Sequence, residues 1–372
     1  MRIHKADHRY ALLFYSALAV VLAGCNSAKD PKESEQALRD ISDPRVESFL
    51  RQMVVEEHFT GAVLVAHGTE IVHARGYGPA TSDRENDAYT SFHIASITKQ
   101  FTAAAIMQLV EAGAVDLHRS INYYLPERYV APQWDVVTVH HLLTHSSGIT
   151  DYAVQRDYYN VVDGFCLGDT VDGMVREAMS KDLEFSPGST FAYSNIGFTL
   201  LGLMIENLTK TSYEKYLVEN ILQPLGLHST RVHVEGHLPV ENEARGFRWS
   251  QEQSAHVPDD IVSLPVTAPD GGLVTTLRDF LAWTRIYSGI GQIILSQSSI
   301  EQMTKPHITS DGKDGPLDWY GYGLAVGDRL MGHAGYIVGF RSQFILDRET
   351  ETLIAVFTNN TSNNPQRIAF GL

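Results

Sequence analysis

A strongly apolar stretch at residues 92–113 predicts a buried helix. Between Gln100 and Gln108, Thr102 is the only polar residue, and a helix that is apolar on nearly all sides is typically surrounded by protein. Gly113 is a suitable end point, because glycine readily adopts the left-handed conformation that many helix ends require. The pattern therefore predicts an interior helix that ends close to Gly113.

Ser96 and Lys99 stand in the first turn of this predicted helix. Because they are three residues apart, their side chains are expected to share one helix face. An ammonium group next to a serine hydroxyl favours the alkoxide, and the positive end of the helix dipole has the same effect. Ser96 is therefore a candidate nucleophile. A serine and a lysine at this spacing also occur by chance in many chains, in which case Lys99 would be a solvated surface lysine.

The periodicity of apolar residues predicts strands at both ends of the folded part and helices between them. Asp43 and Pro44 are expected to begin the first helix, as cap and first helical residue, and residues 61–67 and 70–77 are expected to form a hairpin. Further helices are expected at residues 138–145, 196–208, 213–222 and 278–287, and further strands at 321–326, 339–347 and 352–359. This order predicts one sheet built from both chain ends, with a helical region inserted between them.

The first 24 residues have the composition of a signal peptide. Arg2, Lys5 and Arg9 precede an apolar run at residues 11–23, and a basic start followed by a short apolar segment is typical of secretory signals. The run of 13 residues is too short to span a bilayer comfortably. We therefore expect residues 1–24 to be absent from the mature protein.

Cys25 ends the sequence Leu-Ala-Gly-Cys, which resembles a bacterial lipobox and predicts lipidation of this cysteine. An ordinary signal peptide with a chance cysteine is the alternative. Residues 25–42 are otherwise polar and are expected to form a tether to a domain at residues 43–372. By resemblance to bacterial lipoproteins, Asn26 favours the outer membrane, on its periplasmic side. With Cys25 acylated, Cys166 has no partner for an internal disulfide.

The overall composition is that of a soluble globular protein, with 44% hydrophobic and 20% charged residues in a chain of 372. The formal net charge of −15 at pH 7 argues against nucleic acid as a partner. His141 and His145 could share a metal ion, but no acidic or cysteine ligand lies near them in the sequence, and packing roles are favoured. No metal and no cofactor are predicted.

Three motifs follow one another along the chain: Ser96-x-x-Lys99, Tyr193-x-Asn195 and His333-x-Gly335. Their order, spacing and neighbouring sequences, over about residues 45–360, resemble a group of serine hydrolases that comprises class C β-lactamases, penicillin-binding proteins and family VIII esterases. The resemblance implies a β-lactamase/transpeptidase-like fold of the α+β class, a three-layer α/β/α arrangement with helices on both faces of an antiparallel sheet. Residues 43–90 and 270–372 would then form an α/β lobe, and residues 91–269 a helical lobe.

The motif residues match the parts that acyl transfer requires, namely a nucleophile, a proton acceptor and donors for the oxyanion. Ser96 would be the nucleophile. Tyr193 would accept its proton, because the positive charge of Lys99 lowers the pKa of a phenol from its usual value near ~10. Asn195 would either donate to the substrate carbonyl or hold Lys99. The resemblance implies that the backbone N–H groups of Ser96 and Tyr336 form the oxyanion hole.

His333 is a departure from the β-lactamases of this group, which carry a lysine there in a K-T-G motif. A histidine with an ordinary pKa near ~6.5 is mostly neutral at pH 7, and Ala334 lacks the threonine hydroxyl, so efficient β-lactam hydrolysis is not expected. If His333 contacts an anionic substrate, affinity should rise as the pH falls through its pKa. Little sequence follows Asn359, so the closing C-terminal helix that relatives often have is expected to be short.

We therefore predict a hydrolase that forms an acyl-serine intermediate with a small ester or a D-amino-acid amide or peptide. A peptidoglycan DD-peptidase or a weak β-lactamase is the alternative within the same chemistry. A non-catalytic penicillin-binding or scaffold lipoprotein is the alternative from another class. The expected partners are a small-molecule or peptide substrate and, through the N-terminal lipid alone, the membrane.

Overall fold

A computed structural model describes residues 41–152, 161–162, 165–166, 170–233, 240–259, 268–312 and 316–372. The predicted signal peptide, Cys25 and nearly all of the predicted tether lie outside the described residues, as does the side chain of Cys166. Among the residues that the structure describes, no helix is both long enough and apolar enough to cross a membrane.

The α-helices lie mostly in the middle of the chain. They are α1 (Pro44–Glu57), α2 (Lys99–Glu111), α3 (Val139–Leu143), α4 (Val171–Met179), α5 (Asn195–Thr209), α6 (Tyr213–Leu217), α7 (Ala268–Gly271), α8 (Leu277–Thr284), α9 (Gln297–Thr304) and α10 (Pro365–Gly371). Short 3-10 turns lie at Ala95–Thr98, Ile121–Tyr123, Glu127–Tyr129, Pro132–Trp134 and Arg285–Ser288, and α6 continues into a π-helical turn at Val218–Leu222.

The longer strands lie towards the two ends of the described chain. The strands are β1 (Gly61–His67), β2 (Glu70–Tyr77), β3 (Phe92–His93), β4 (Val161–Val162), β5 (Phe165–Cys166), β6 (Arg231–Val232), β7 (Phe247–Ser250), β8 (Ala255–Pro258), β9 (Leu273–Thr275), β10 (Ile308–Thr309), β11 (Trp319–Tyr320), β12 (Ala325–Val326), β13 (Leu330–Ile337), β14 (Phe340–Asp347) and β15 (Thr352–Thr358). The hairpin β1–β2 has the bounds predicted from the sequence.

The main sheet contains eight strands in the order β10-β11-β12-β13-β14-β15-β1-β2. All of its neighbouring strands are antiparallel. Strand β15 pairs with β1 along its whole length, from Gly61 opposite Thr358 to His67 opposite Thr352. The sheet is therefore built from both chain ends, as the apolar pattern predicted. Strands β3, β9 and β6 form a separate small sheet.

Helices cover both faces of the main sheet. On one face, α1 and α10 pack through an apolar cluster that includes Leu50, Val63, Val356 and Ile368. The opposite face contributes to the larger core, which also contains the apolar side chains of α2, α5 and α8. The predicted α+β class and its three layers are therefore confirmed.

Several helices begin where the sequence predicted. The side chain of Asp43 accepts hydrogen bonds from the backbone at the start of α1, and Pro44 is the first helical residue. Ser194 caps α5 and Thr138 caps α3 in the same way. Each cap satisfies backbone N–H groups that have no partner within the helix.

The segment predicted as one helix is divided at its beginning. Phe92–His93 pairs with β9 as strand β3, and Ala95 has a φ of +47°, a left-handed conformation that interrupts a right-handed helix. A 3-10 turn then carries Ser96, and α2 begins only at Lys99. The end agrees with the prediction, because Gly113 follows α2 with a φ of +70°. The pairing with β9 is a contact between distant segments, which the local apolar pattern does not reveal.

Candidate active site

The 3-10 turn and the first residue of α2 bring Ser96 and Lys99 together. Lys99 Nζ lies 3.1 Å from Ser96 Oγ, as their spacing predicted. The side chain of Ser96 is half-buried and can be approached from solvent, whereas Lys99 is fully buried. A lysine buried in this way needs hydrogen-bond acceptors within the protein.

Two carbonyl oxygens provide these acceptors. Lys99 Nζ donates to Asn195 Oδ1 at 2.8 Å and to the backbone oxygen of Asp270 at 2.8 Å. Because neither oxygen can donate, two positions on Nζ must carry hydrogens. The third position faces Ser96 Oγ, and it holds a hydrogen when Lys99 is charged and a lone pair when Lys99 is neutral. The neutral form can therefore accept the proton of Ser96 directly.

Burial makes the neutral form of Lys99 accessible near neutral pH. Loss of solvation lowers the pKa of Lys99 to about 8, against the opposing effect of the negative charges of Asp270 and Asp151. The ring of Tyr193 also faces this group, with its centroid 4.9 Å from Nζ, within the range of a cation–π contact. A lysine with a lowered pKa beside an accessible serine is typical of catalytic pairs.

Asn195 is the first residue of α5, and the two ends of its side-chain amide contact two different residues. Its Oδ1 accepts from Lys99, and its Nδ2 donates to Asp151 Oδ2 at 3.1 Å. Asp151 Oδ1 also accepts from the backbone N–H of Ile196 at 2.9 Å. Of the two roles considered for Asn195, contact with Lys99 is the one present in this structure.

His145 holds the segment that contains Tyr193 and Asn195. Its backbone oxygen accepts from the Ala192 N–H at 2.8 Å, and its ring Nδ1 accepts from the Ser194 N–H at 3.0 Å. The ring centroids of His145 and Tyr193 are 4.2 Å apart. Because Nδ1 accepts a hydrogen bond, the ring carries its hydrogen on Nε2 and is neutral. Burial lowers the pKa of His145 well below its usual range, in agreement with this assignment.

Tyr320 connects His145 to His333. Its hydroxyl oxygen lies 3.1 Å from His145 Nε2 and 2.9 Å from His333 Nε2. Since His145 donates to this hydroxyl, the hydroxyl can donate to His333 Nε2, and His333 Nδ1 then donates to the backbone oxygen of Ala334. His333 is 2% exposed, and both of its ring nitrogens have hydrogen-bond partners in this arrangement. A direct contact between its ring and a substrate would require the exchange of one of these hydrogen bonds.

Gly335 brings β13 against the segment that precedes Ser96. A β-carbon at Gly335 would lie well within 3.0 Å of the backbone oxygen of Ile94 and of Ser342 Oγ, so this approach requires glycine. Ser342 Oγ also donates to the oxygen of Ile94 at 2.8 Å. Tyr336, the next residue of β13, has a largely exposed side chain. The expected oxyanion role of the Tyr336 and Ser96 backbone N–H groups stays a prediction.

Sequence reasoning missed three residues that surround these motifs. Asp151 contacts Asn195, Tyr152 donates from its hydroxyl to the buried carboxylate of Asp270, and Tyr320 links the two histidines described above. None of the three residues belongs to one of the three motifs. The one available signal is position, since Asp151 lies two residues after the stretch at 142–149, one of the neighbouring sequences that carry the resemblance.

The two histidines weighed as a metal pair have separate contacts. His141 Nδ1 accepts from the backbone N–H of Thr138 in the cap of α3, whereas His145 contacts Tyr193 and Tyr320. Within the described ranges, no group of three or more His, Cys, Asp or Glu side chains is arranged to hold a metal ion.

Comparison with known proteins identifies a family model and curated relatives. The family model described as "Beta-lactamase" matches residues 46–369. Penicillin-binding protein 4* of Bacillus subtilis (strain 168) is 28% identical over 312 residues, which is 78% of this chain and 66% of that protein. The chain spans just under two thirds of the length of the curated relatives it matches.

Solved structures show a similar fold. The octameric penicillin-binding protein homologue from Pyrococcus abyssi is 31% identical, with a TM-score of 0.74 over 87% of this chain and 75% of that chain. The D-amino acid amidase from Ochrobactrum anthropi SV3 is 25% identical, with a TM-score of 0.71 over 88% of this chain and 96% of that chain. These similarities confirm the β-lactamase/transpeptidase-like fold expected from the three motifs.

Proposed function

The chain belongs to the beta-lactamase family, whose fold is shared by serine hydrolases such as the D-amino acid amidase, and we propose that it hydrolyses a small ester or a D-amino-acid amide through an acyl-enzyme on Ser96. The hydrogen bond between Lys99 Nζ and Ser96 Oγ carries this proposal. Lys99 is fully buried, and two carbonyl oxygens hold its other hydrogens. A serine with a proton acceptor in hydrogen-bond reach is the minimum that acyl transfer requires.

In the proposed reaction, Ser96 Oγ attacks the carbonyl carbon of the substrate and gives its proton to neutral Lys99, directly or through Tyr193. The backbone N–H groups of Ser96 and Tyr336 would bind the oxyanion. The leaving alcohol or amine then takes the proton from the pair of Lys99 and Tyr193. Water hydrolyses the acyl-enzyme by the same proton movements in reverse.

Tyr193 and Lys99 share one proton in this scheme. The proton can be on Lys99, with Tyr193 as a phenolate, or on Tyr193, with Lys99 neutral. The two forms contain the same number of protons, so their populations change with pH in the same way. The distance of 4.9 Å between Nζ and the ring centroid supports an interaction between the two groups. We therefore assign the role of base to the pair.

The surroundings of His333 favour substrates without an anionic group at this position. Where the K-T-G motif offers a fixed positive charge, this chain has a buried ring whose Nε2 faces the hydroxyl of Tyr320 at 2.9 Å. The D-amino acid amidase among the similar structures supports amide substrates. A neutral ester or a D-amino-acid amide is therefore proposed ahead of a β-lactam.

Intact-protein mass spectrometry during turnover tests the proposal. The protein would be incubated with p-nitrophenyl butyrate, with D-alanine amide and with a penicillin, in parallel with the variant Ser96→Ala. We expect a transient acyl adduct and turnover with the ester or the amide, and neither in the variant. Unchanged hydrolysis by Ser96→Ala would overturn the proposal.

The control variant is Ser299→Ala. This serine donates to Glu111 at 2.5 Å, at the opposite end of α2 from Lys99, and its loss should leave turnover unchanged. A long-lived penicilloyl adduct in the wild type, without ester turnover, would favour a penicillin-binding peptidase instead. No adduct and no turnover with any of the substrates would favour a non-catalytic role.

We also propose that a lipid on Cys25 anchors the protein in the outer membrane. The support is the sequence Leu-Ala-Gly-Cys after a short apolar segment. Labelled palmitate should be incorporated into the wild type and not into Cys25→Ser, and the label should fractionate with the outer membrane. An unlabelled wild type would contradict this proposal.

A further inference from the structure

We propose that Asp151 is a positioning residue that fixes the side-chain amide of Asn195 so that its oxygen faces Lys99. The proposal rests on the proposed function of Ser96 and Lys99, and it concerns a residue outside the three motifs. Its basis is a continuous line of hydrogen bonds from Asp151 through Asn195 to Lys99.

The hydrogen bonds of Asp151 are directed at the beginning of α5. Its Oδ2 accepts from Asn195 Nδ2 at 3.1 Å, and its Oδ1 accepts from the Ile196 N–H at 2.9 Å. Asn195 and Ile196 are the first two residues of this helix of 15 residues. Burial raises the pKa of Asp151, and the hydrogen bonds from Ile196 and Asn195 favour its charged form against this effect. The positive end of the helix dipole acts in the same direction as these hydrogen bonds.

The partners of an asparagine decide its orientation, because the oxygen and nitrogen of the amide are nearly equal in size. An ionised carboxylate only accepts and an ammonium group only donates, so Asp151 and Lys99 select the same orientation of Asn195 from opposite sides. Without the carboxylate, Asn195 can turn its Nδ2 towards Lys99. Lys99 would then lose one of the two carbonyl acceptors that bind its hydrogens. These two acceptors are the reason that the third position on Nζ faces Ser96.

The charge of Asp151 also acts on Lys99. The titratable groups around Lys99 are Asp270, beside Nζ, Tyr193 and His145 on the ring side, and Asp151 beyond the amide. The negative charges of Asp270 and Asp151 raise the pKa of Lys99 against the effect of burial. Removal of one of these charges should therefore move the titration of Lys99 to lower pH.

The variant Asp151→Asn tests both effects. Its amide can satisfy only one of the two donors, Asn195 Nδ2 or the Ile196 N–H. We expect kcat for a neutral ester to fall about 10- to 100-fold, and KM to change by less than about threefold. The lower limb of the pH–rate profile should move to lower pH, which a loss of stability alone does not produce.

Asp279→Asn is the matched control. Asp279 is a buried carboxylate that, like Asp151, accepts two hydrogen bonds, from the Ser229 N–H at 2.7 Å and from Thr230 Oγ1 at 2.9 Å. It lies near the beginning of α8 and does not contact Lys99 or Asn195. We expect this variant to melt at a lower temperature than the wild type and to keep its pH–rate profile.

An exchange of the two side chains, Asp151→Asn together with Asn195→Asp, provides a rescue. In the double variant, the carboxylate at position 195 can accept from Lys99, and the amide oxygen at position 151 can accept from the Ile196 N–H. The amide nitrogen at position 151 can donate to the carboxylate at position 195. We expect kcat to recover in part relative to Asp151→Asn. The lower limb of the pH–rate profile should lie at higher pH than in the wild type. A carboxylate then contacts Lys99 directly, and its negative charge raises the pKa of Lys99.

A 13C NMR titration of lysine labelled at Cε follows Lys99 without any substrate, and Lys99→Met assigns its signal. The proposal is overturned if Asp151→Asn has the same kcat and the same Lys99 titration midpoint as the wild type. It is also overturned if Asp279→Asn shifts the pH–rate profile as much as Asp151→Asn does. If the wild type turns over no ester or amide while the Lys99 midpoint still falls in Asp151→Asn, the proposed function fails and the positioning of Lys99 stands.

Discussion

The backbone of Gly335 lies directly against the carbonyl oxygen of Ile94, with no room for a β-carbon between them. Ile94 stands two residues before Ser96, and Gly335 directly precedes Tyr336. The contact therefore sets the separation of the two segments whose backbone N–H groups are expected to bind the oxyanion. It also joins the edge of β13 to the turn that carries the candidate nucleophile.

The variant Gly335→Ala should lose most of its activity. The added methyl group must push β13 away from Ile94, which misplaces the oxyanion donors, and we expect kcat to fall at least about 100-fold. Steady-state kinetics with p-nitrophenyl butyrate measure this effect. In the control Gly197→Ala, the nearest atom to the new β-carbon is 3.6 Å away, and activity should be retained. A kcat of Gly335→Ala equal to that of the wild type would contradict this account of the contact.

The rate should depend on the titration of Lys99. The pair of Lys99 and Tyr193 can accept the proton of Ser96 only after it has lost one proton from the form with charged Lys99 and neutral Tyr193. Burial lowers the pKa of Lys99 to about 8, so this loss occurs near that pH. With a neutral ester, kcat/KM should rise by about tenfold per pH unit below this value and level off above it. Thermal melts at each pH provide the control for unfolding. A profile that is flat across this range would argue against a buried lysine in the proton transfer.

The hydroxyl of Tyr320 should contribute to both stability and rate. In Tyr320→Phe, the buried nitrogens of His145 and His333 that face this hydroxyl lose their partner, and we expect a loss of about 1–3 kcal/mol in the free energy of unfolding. The kcat should fall about tenfold, because His145 holds the segment of Tyr193. Urea unfolding and kinetics measure the two effects.

Tyr322→Phe is the control for this variant. Tyr322 is also buried, and its hydroxyl lies 2.9 Å from His140 Nδ1, outside the candidate site. It should lose stability without a comparable loss of kcat. Equal rate effects in both variants would show that the hydroxyl of Tyr320 has no special link to the site.

Asn359 should be important for stability and unimportant for chemistry. Its buried side chain accepts from Thr60 Oγ1 at 3.1 Å and donates to the backbone oxygens of Pro79 at 3.0 Å and Arg245 at 2.8 Å. We expect Asn359→Ala to lower the free energy of unfolding by about 2–4 kcal/mol with kcat retained. Asn207→Ala, which removes one half-buried and one exposed hydrogen bond, should cost less than about 1.5 kcal/mol. The reverse order of these two values would contradict the prediction.

The amino-acid sequence alone predicted the elements that depend on neighbouring residues. The hairpin β1–β2, the cap of α1 at Asp43 and the contact between Ser96 and Lys99 all follow from short-range patterns, because the backbone geometry of a helix or strand fixes which nearby side chains share a face. The sheet built from both chain ends also followed from the order of apolar segments. The three motifs were sufficient to indicate the family.

The tertiary structure alone decided what surrounds the Ser96 and Lys99 pair. Lys99 finds its acceptors at Asn195 and Asp270, which are 96 and 171 residues away in the chain, and Asn195 finds Asp151 across 44 residues. The hydrogen bond of His333 Nε2 depends on Tyr320, whose hydroxyl also contacts His145 in another segment.

Such contacts arise from the packing of separate helices and strands around a shared core, and no local pattern encodes which polar groups this packing brings together. The burial that lowers the pKa of Lys99 has the same origin. The sequence therefore determined which residues are candidates for catalysis, and the fold determined their hydrogen-bond partners and orientation.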